Sequence, residues 1–129
     1  MRVLALDYGA ARTGVAVSDA TGMLARPVEV VERAGGPGLD RIATLVAELE
    51  AELVVVGLPL TLRGERGQQA RETEAFVSEL AKRLAVPVEM YDERFTTTLA
   101  QREASDAPED ALAAAHLLQG WLDRRTRTT

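Results

Sequence analysis

Short apolar stretches separated by turn residues make up the first quarter of the chain. Residues 2–7, 13–19 and 23–31 are rich in aliphatic side chains, which is typical of buried strands. The connections over residues 8–12 and 21–22 are short and contain glycine, so we expect antiparallel pairing. The pattern therefore predicts a meander of three antiparallel strands.

The apolar spacing then changes from that of a strand to that of a helix. Residues 35–38, Gly-Gly-Pro-Gly, break the first pattern. One helix face is then predicted from the spacing of Leu39, Ile42, Leu45, Val46 and Leu49. Further along, we predict a strand over 53–56, a polar loop over 61–69, a helix over 70–84, a strand over 86–91, a helix opening near 96–98 and a last helix over 109–125.

This order, β-β-β-α-β-α-β-α, is that of an α/β protein. A helix followed by a wholly apolar strand is typical of a parallel crossover. We therefore expect one mixed five-stranded sheet flanked by helices, in which the antiparallel meander is joined to parallel strands. The length of 129 residues fits a single domain over residues 1–129.

Composition and charge narrow the function classes. The chain contains no cysteine, which excludes disulfides and zinc sites built on thiolates. It has no signal-like start and no apolar run near the ~20 residues of a membrane helix, so we expect a cytoplasmic protein without membrane contact. The net charge of −5 is opposite to the usual balance of nucleic-acid binders.

Acidic residues follow two of the predicted strands. Asp7 ends the first strand, and Asp92 and Glu93 end the fifth; ligands gather at such strand ends. Asp110 opens an alanine-rich helix that can lie close to the sheet. Converging carboxylates repel and must be neutralised, protonated or metal-bound, and a set of oxygen ligands with no cysteine and one histidine favours one or two Mg²⁺ or Mn²⁺ ions.

Each of these acids also has an ordinary structural interpretation. Asp7 can cap the following turn, and Asp92 and Glu93 can form a solvated strand end paired with Arg94. Asp110 is favoured near a helix N-terminus by the helix dipole. Elsewhere, we interpret Asp19 as a turn residue, His116 as a packed helix residue, Met23 and Met90 as core, and Trp121 as core or interface packing.

Four motifs in order over almost the whole chain resemble one known family. They are Asp7-Tyr-Gly9-x-x-Arg12-x-Gly14-x-Ala16-x-Ser18-Asp19, Gly57-Leu58-Pro59-Leu60 with Gly64-x-x-Gly67-x-x-Ala70, Asp92-Glu93-Arg94-Phe95-Thr96-Thr97, and Asp110-x-x-Ala113-Ala114-x-x-Leu117-Leu118-Gln119. Together they resemble the YqgF or RuvX family of Holliday-junction-resolvase-like proteins, which is also associated with the processing of precursor 16S ribosomal RNA.

The resemblance implies an RNase H-like fold and a divalent-metal-dependent endonuclease. It implies catalytic acids at Asp7, at Glu93 or its neighbour Asp92, and at Asp110. Adjacent strand residues face opposite ways, so we expect one of the neighbours to join Asp7, and the resemblance favours Glu93. The favoured substrate is the 5′ end of precursor 16S ribosomal RNA, and the alternative is a four-way DNA junction.

The resemblance also suggests where phosphates bind. Arg12 and Arg94 would contact them, although both can instead pair with the neighbouring acids. Where the family carries a lysine-rich stretch, residues 101–110 are acidic, and phosphate contacts dominate nucleic-acid affinity. We therefore expect compensation either by a ribosomal or processing partner or by three other arginines, Arg63, Arg66 and Arg71. A homodimer, as junction cleavage requires, stays open.

Two rival functions remain. An actin-like or sugar-kinase ATPase opens with a similar Asp-x-Gly hairpin, but such enzymes close two like domains around the nucleotide and this chain has room for one. A non-catalytic nucleic-acid or ribosome-assembly binding module is favoured by the acidic balance. The acids present at all the motif positions argue against it.

Overall fold

The structure, a computed structural model, describes residues 1–9, 11–32, 36–60, 63–92 and 109–128, with side chains over 110–125 in the last stretch. Its elements are β1 (Val3–Tyr8), β2 (Arg12–Ser18), β3 (Ala25–Glu32), α1 (Gly36–Glu48), β4 (Leu53–Leu58), α2 (Gln68–Ala81), β5 (Val88–Asp92) and α3 (Glu109–Thr128). This is the predicted order, and the α/β class is confirmed. The helix predicted to open near residues 96–98 lies outside the described residues.

The strands form one five-stranded sheet in the order β3-β2-β1-β4-β5. β1 pairs antiparallel with β2, and β2 with β3, which confirms the meander. β1, β4 and β5 are parallel, which confirms the mixed sheet. β1 is therefore central, and β4 lies between it and the edge strand β5. Asp7 of β1 and Asp92 of β5 are consequently two strands apart.

The two faces of the sheet pack against different helices. The α1/α2 face is a cluster of large side chains; its buried members include Leu4, Leu6, Ile42, Leu45, Phe76 and Leu80. The α3 face is built largely from smaller ones; its buried members include Val3, Ala5, Ala16, Val55, Ala114 and Leu118. Consecutive strand residues alternate between these faces, as the pleat requires.

Some boundaries differ from prediction. α1 begins at Gly36, so Gly36, Pro37 and Gly38 belong to its first turn rather than to a break before it. Pro37 is tolerated there because the first amides of a helix have no partner within the helix.

None of the helices in the part of the chain that the structure describes is long and apolar enough to span a membrane.

The prediction of Met23 and Met90 as core residues is wrong, because they are 63% and 45% exposed. Met23 lies in the turn before β3, and Met90 lies on the edge strand β5. The same turn confirms Asp19 as a turn residue, since its carboxylate accepts hydrogen bonds from Thr21 Oγ1 and the amide of Met23. These bonds hold the pKa of Asp19 below its ordinary value of 3.8.

Trp121 is half-buried against the α3-face cluster, as expected for packing rather than base stacking. The guanidinium carbon of Arg125 lies 5.1 Å from the centre of its ring, within the range of a cation–π contact.

Candidate active site

Asp7 is the penultimate residue of β1 and is half-buried. Val3 and Ala5, on the same side of the strand, pack in the α3-face cluster, so strand alternation directs Asp7 toward that face as well. The residue opposite Asp7 on β2 is Gly14. Directly opposed residues of antiparallel strands present their side chains on the same face, about 5 Å apart.

Gly14 is where the last helix meets the sheet. A Cβ at Gly14 would collide with the carbonyl oxygen of Asp110 and lie 3.1 Å from the amide nitrogen of Ala111. Ala111 and Ala114, which belong to the same helix, are fully buried. The close approach predicted for the alanine-rich helix is therefore confirmed, and it brings the backbone of Asp110 over the position beside Asp7.

The role of Gly14 was missed by sequence reasoning, although a signal was present. A glycine inside a strand often marks a place where another backbone approaches closely. In this sequence, Gly14 stands inside a predicted strand, which indicates a close approach there but not which segment makes it.

Arg12 pairs with Asp110 across the same junction. Arg12 Nε lies 3.4 Å from Asp110 Oδ2, and the two side chains are 59% and 43% exposed. The alternative in which Arg12 pairs with a neighbouring acid is thus present in the structure. Exposed ion pairs contribute up to about 1 kcal/mol. Asp110 therefore holds Arg12 only weakly.

Asp92 occupies the last position of β5, opposite Leu58 of β4. On β5, Val88 packs against the α1/α2-face cluster and Tyr91 against the α3-face cluster. Alternation then assigns Asp92 to the α1/α2 face, away from Asp7. Its neighbours Glu93 and Arg94 lie outside the residues that the structure describes.

The three other predicted phosphate contacts lie at the start of α2. Arg63 and Arg66 precede the helix, Arg71 is in its first turn, and all three are exposed. Arg66 Nη2 and Nε donate to Glu74 Oε1 at 2.7 Å and 3.1 Å. A phosphate would have to compete with Glu74 for Arg66, so Arg63 and Arg71 are the better placed of the three.

A depression of about 140 Å³ adjoins Asp7 at the carboxyl ends of β1 and β4. It is lined by Asp7, Tyr8, Gly9, Pro59, Gln69, Glu72 and Thr73. Tyr8 is fixed by stacking on Phe76 of α2, with ring centres 4.3 Å apart. Glu72 is a further acid at this edge that sequence reasoning missed, since its helical spacing resembles that of any solvated face.

The described donors suit a hard cation, but they form an incomplete set. Within the described ranges, no group of three or more His, Cys, Asp or Glu residues is arranged to hold a metal ion. Asp7 and Asp110 supply carboxylate oxygens, the ligands that Mg²⁺ and Mn²⁺ prefer, and Gly14 leaves the space that lets them approach. Glu93, the third acid of the predicted set, lies outside the residues that the structure describes.

The fold is shared with RNase H-like junction resolvases. The structure of Thermus thermophilus RuvC in complex with a Holliday junction substrate superposes with a TM-score of 0.66 at 18% sequence identity, covering 99% of this chain and 98% of that one. Another Thermus thermophilus RuvC structure gives 0.59 at 22% identity over the same shares. The protein therefore belongs to the class of α/β proteins with an RNase H-like fold.

Sequence comparison is more specific. The RuvX family, described as Holliday junction resolvase, matches residues 1–124, and the chain belongs to this family. A Thermobifida fusca relative is 48% identical over 97% of this chain and 89% of its own length, and a Rhodococcus opacus relative is 43% identical over 98% and 80%. Both carry the name "Putative pre-16S rRNA nuclease".

Proposed function

We propose that the protein is an endonuclease that hydrolyses phosphodiester bonds of structured nucleic acid, with the 5′ end of precursor 16S ribosomal RNA as its substrate. The observation that carries this proposal is the seating of α3 on Gly14, because it brings Asp110 beside Asp7 on one face of the sheet. Membership of the RuvX family and the names of the close relatives support the same activity and the ribosomal substrate.

In this proposal, Asp7, Glu93 and Asp110 are the catalytic acids and hold one or two Mg²⁺ or Mn²⁺ ions. Such a metal, when bound, activates water and stabilises the charge that develops on the phosphate. Asp92 is the alternative ligand to Glu93, but its place on the α1/α2 face favours its neighbour.

The arginines divide into two groups by position. Arg12 lies beside Asp110 and would contact the phosphate that is cut. Arg94 lies outside the described residues, and only the family resemblance gives it the same role. Arg63 and Arg71, with Arg66 if it leaves Glu74, would contact phosphates further along the substrate. In a chain of net charge −5, these local contacts have to outweigh an unfavourable overall field, or a ribosomal partner has to supply the remaining affinity.

The second candidate is cleavage of four-way DNA junctions. It is favoured by the family's description as Holliday junction resolvase. Because a junction offers two symmetric cleavage points, this activity would require a homodimer, whereas trimming an RNA end requires one site. The oligomeric state on the substrate therefore separates the two candidates.

The test is cleavage of labelled substrates with Mg²⁺ or Mn²⁺: a precursor 16S ribosomal RNA 5′ end, a four-way DNA junction, and single strands of each. We expect wild-type protein to cut the RNA end, and Asp7→Asn and Asp110→Asn to lose cutting because each removes a carboxylate charge from the site. Asp123→Asn is the matched control, since Asp123 is an exposed acid near the other end of α3.

Three outcomes would count against the proposal. Wild-type rates in Asp7→Asn would remove that residue from the catalytic set. Preferential cutting of the junction would select the second candidate. No cutting of any substrate by folded, metal-supplied protein would favour a binding module.

A further inference from the structure

We propose that Arg12 is a resident counter-ion of Asp110 that competes with the divalent metal for this carboxylate and leaves it for a substrate phosphate. This inference rests on the proposed function, because it assumes that Asp110 is a metal ligand. It adds a coupling between the binding of the metal ion and the binding of the substrate phosphate. When a phosphate binds Arg12, it withdraws this arginine from Asp110 and so frees the carboxylate for the metal.

The position of the pair is fixed by the sheet. Arg12 begins β2, and Gly14, two residues further on the same face, seats the backbone of Asp110. The register also places Arg12 opposite Glu32 of β3, yet the ion pair that forms is with Asp110. Arg12 and Gly14 of β2 thus determine both the position of Asp110 and the cation that pairs with it.

The strength of the pair suits exchange. Arg12 Nε lies 3.4 Å from Asp110 Oδ2, and the two side chains are 59% and 43% exposed. By contrast, Arg41 binds Glu29 through two nitrogens and both carboxylate oxygens, at 2.9 Å and 2.6 Å. Two-point pairing is the stronger and more specific geometry for a guanidinium. A phosphate can offer this two-point geometry to Arg12, whereas Asp110 does not.

Competition follows from elementary electrostatics. A guanidinium beside a carboxylate neutralises part of the charge that a divalent cation would bind. When a phosphate takes Arg12, the full charge of Asp110 becomes available to the metal. By thermodynamic reciprocity, the metal must then also favour phosphate binding by the same factor.

The first test measures Mn²⁺ binding to the full chain without nucleic acid, by calorimetry or by the paramagnetic resonance signal of free Mn²⁺. We expect Arg12→Ala to bind Mn²⁺ about two- to fivefold more tightly, the range set by an exposed ion pair. The gain should be absent in the Asp110→Asn background. Arg41→Ala is the matched control, because it removes the same charge from a pair with Glu29 elsewhere in the fold.

The second test measures binding of labelled precursor RNA by gel shift in EDTA, where no cleavage can occur. Arg12→Ala should bind the RNA more weakly than wild type, although it binds Mn²⁺ more tightly. Opposite changes for the two ligands are the signature of an exchanging cation. A merely structural ion pair would change stability and weaken both ligands together.

The outcomes separate this inference from the proposed function. If Asp110→Asn weakens Mn²⁺ binding but Arg12→Ala does not strengthen it, the exchange is refuted and the metal site stands. If Arg12→Ala leaves RNA binding unchanged, the phosphate half of the proposal is refuted. If Asp110→Asn leaves Mn²⁺ binding unchanged, Asp110 is not a metal ligand, and both the assignment and the exchange are overturned.

Discussion

The two faces of the sheet are built from side chains of different size. The α1/α2 face is filled by leucine, isoleucine and phenylalanine side chains that interlock over β1 and β4. The α3 face has Gly14 and buried alanines on both the sheet and the helix where α3 begins. Large side chains fill the space between helices and sheet on the first face, whereas small residues on the second let the helix backbone approach the sheet closely.

This difference separates stability from the candidate site. The large side chains of the α1/α2 face stabilise the fold by burying apolar surface. The small residues of the α3 face instead determine how far Asp110 stands from Asp7. The two faces should therefore respond oppositely to side-chain size: truncation should be costly on the first, and enlargement on the second.

The largest loss of unfolding free energy is expected for Ile42→Ala, which empties a fully buried position of α1. Such truncations cost about 2–5 kcal/mol because transfer energy is lost and a cavity remains. Urea denaturation should show this loss, while the folded variant should cut substrate at the wild-type rate. Leu24→Ala is the control, since Leu24 is 68% exposed. Equal losses in the two variants would contradict the assignment of the core.

A smaller loss of stability but a larger loss of activity is expected for Gly14→Ala. The added methyl would strike the backbone of Asp110, so α3 has to move. Overpacking of this kind costs about 1–3 kcal/mol, and a displacement of about 1 Å at a reacting group can cost about 100-fold in rate. Urea denaturation and single-turnover cleavage would measure the two effects.

Gly36→Ala is the matched control for Gly14→Ala, because a Cβ at Gly36 has no atom within 4 Å among the described residues. It should retain wild-type cleavage. Should Gly14→Ala also retain both stability and cleavage, the seating of α3 on β2 would be wrong, and with it the placement of Asp110.

The sequence pattern predicted the elements and their order, because the alternation of apolar residues is set by burial along each strand and helix. It also predicted that β1, β2 and β3 are neighbours in a meander, but it did not predict where the parallel strands β4 and β5 join the sheet. β4 separates β1 from β5, so Asp7 and Asp92 do not lie on adjacent strands. Periodicity assigns a residue to a face of its own element, whereas pairing depends on contacts between distant segments.

The same limit explains why Met90 was wrongly assigned to the core. Met90 lies on the same side of β5 as Val88, but at the edge of the sheet it remains 45% exposed. At the candidate site, the acids could be found because polar residues at the ends of apolar strands are conspicuous. The pairing of Arg12 with Asp110 could not, because the sequence does not fix how α3 lies on β2.

The smallest effect concerns the ion pair on the other side of the molecule, Glu29 with Arg41, which links β3 to α1. The hydrogen bonds from Arg41 hold the pKa of Glu29 below its ordinary value of 4.5. Because the folded-state pKa is the lower one, this stabilisation is fully present above about pH 4.5. It is lost as the pH falls through the folded-state value.

Glu29→Gln should therefore lower the free energy of unfolding at pH 7 by at most about 1 kcal/mol, the range of a partly exposed pair. The difference from wild type should shrink below pH 4.5, where the carboxylate of the unfolded chain is protonated. Urea denaturation across this pH range measures it. A difference that stays constant in acid would show that Glu29 contributes by packing. The contrast between the firmly held pair of Glu29 and the exchangeable pair of Asp110 would then not be electrostatic.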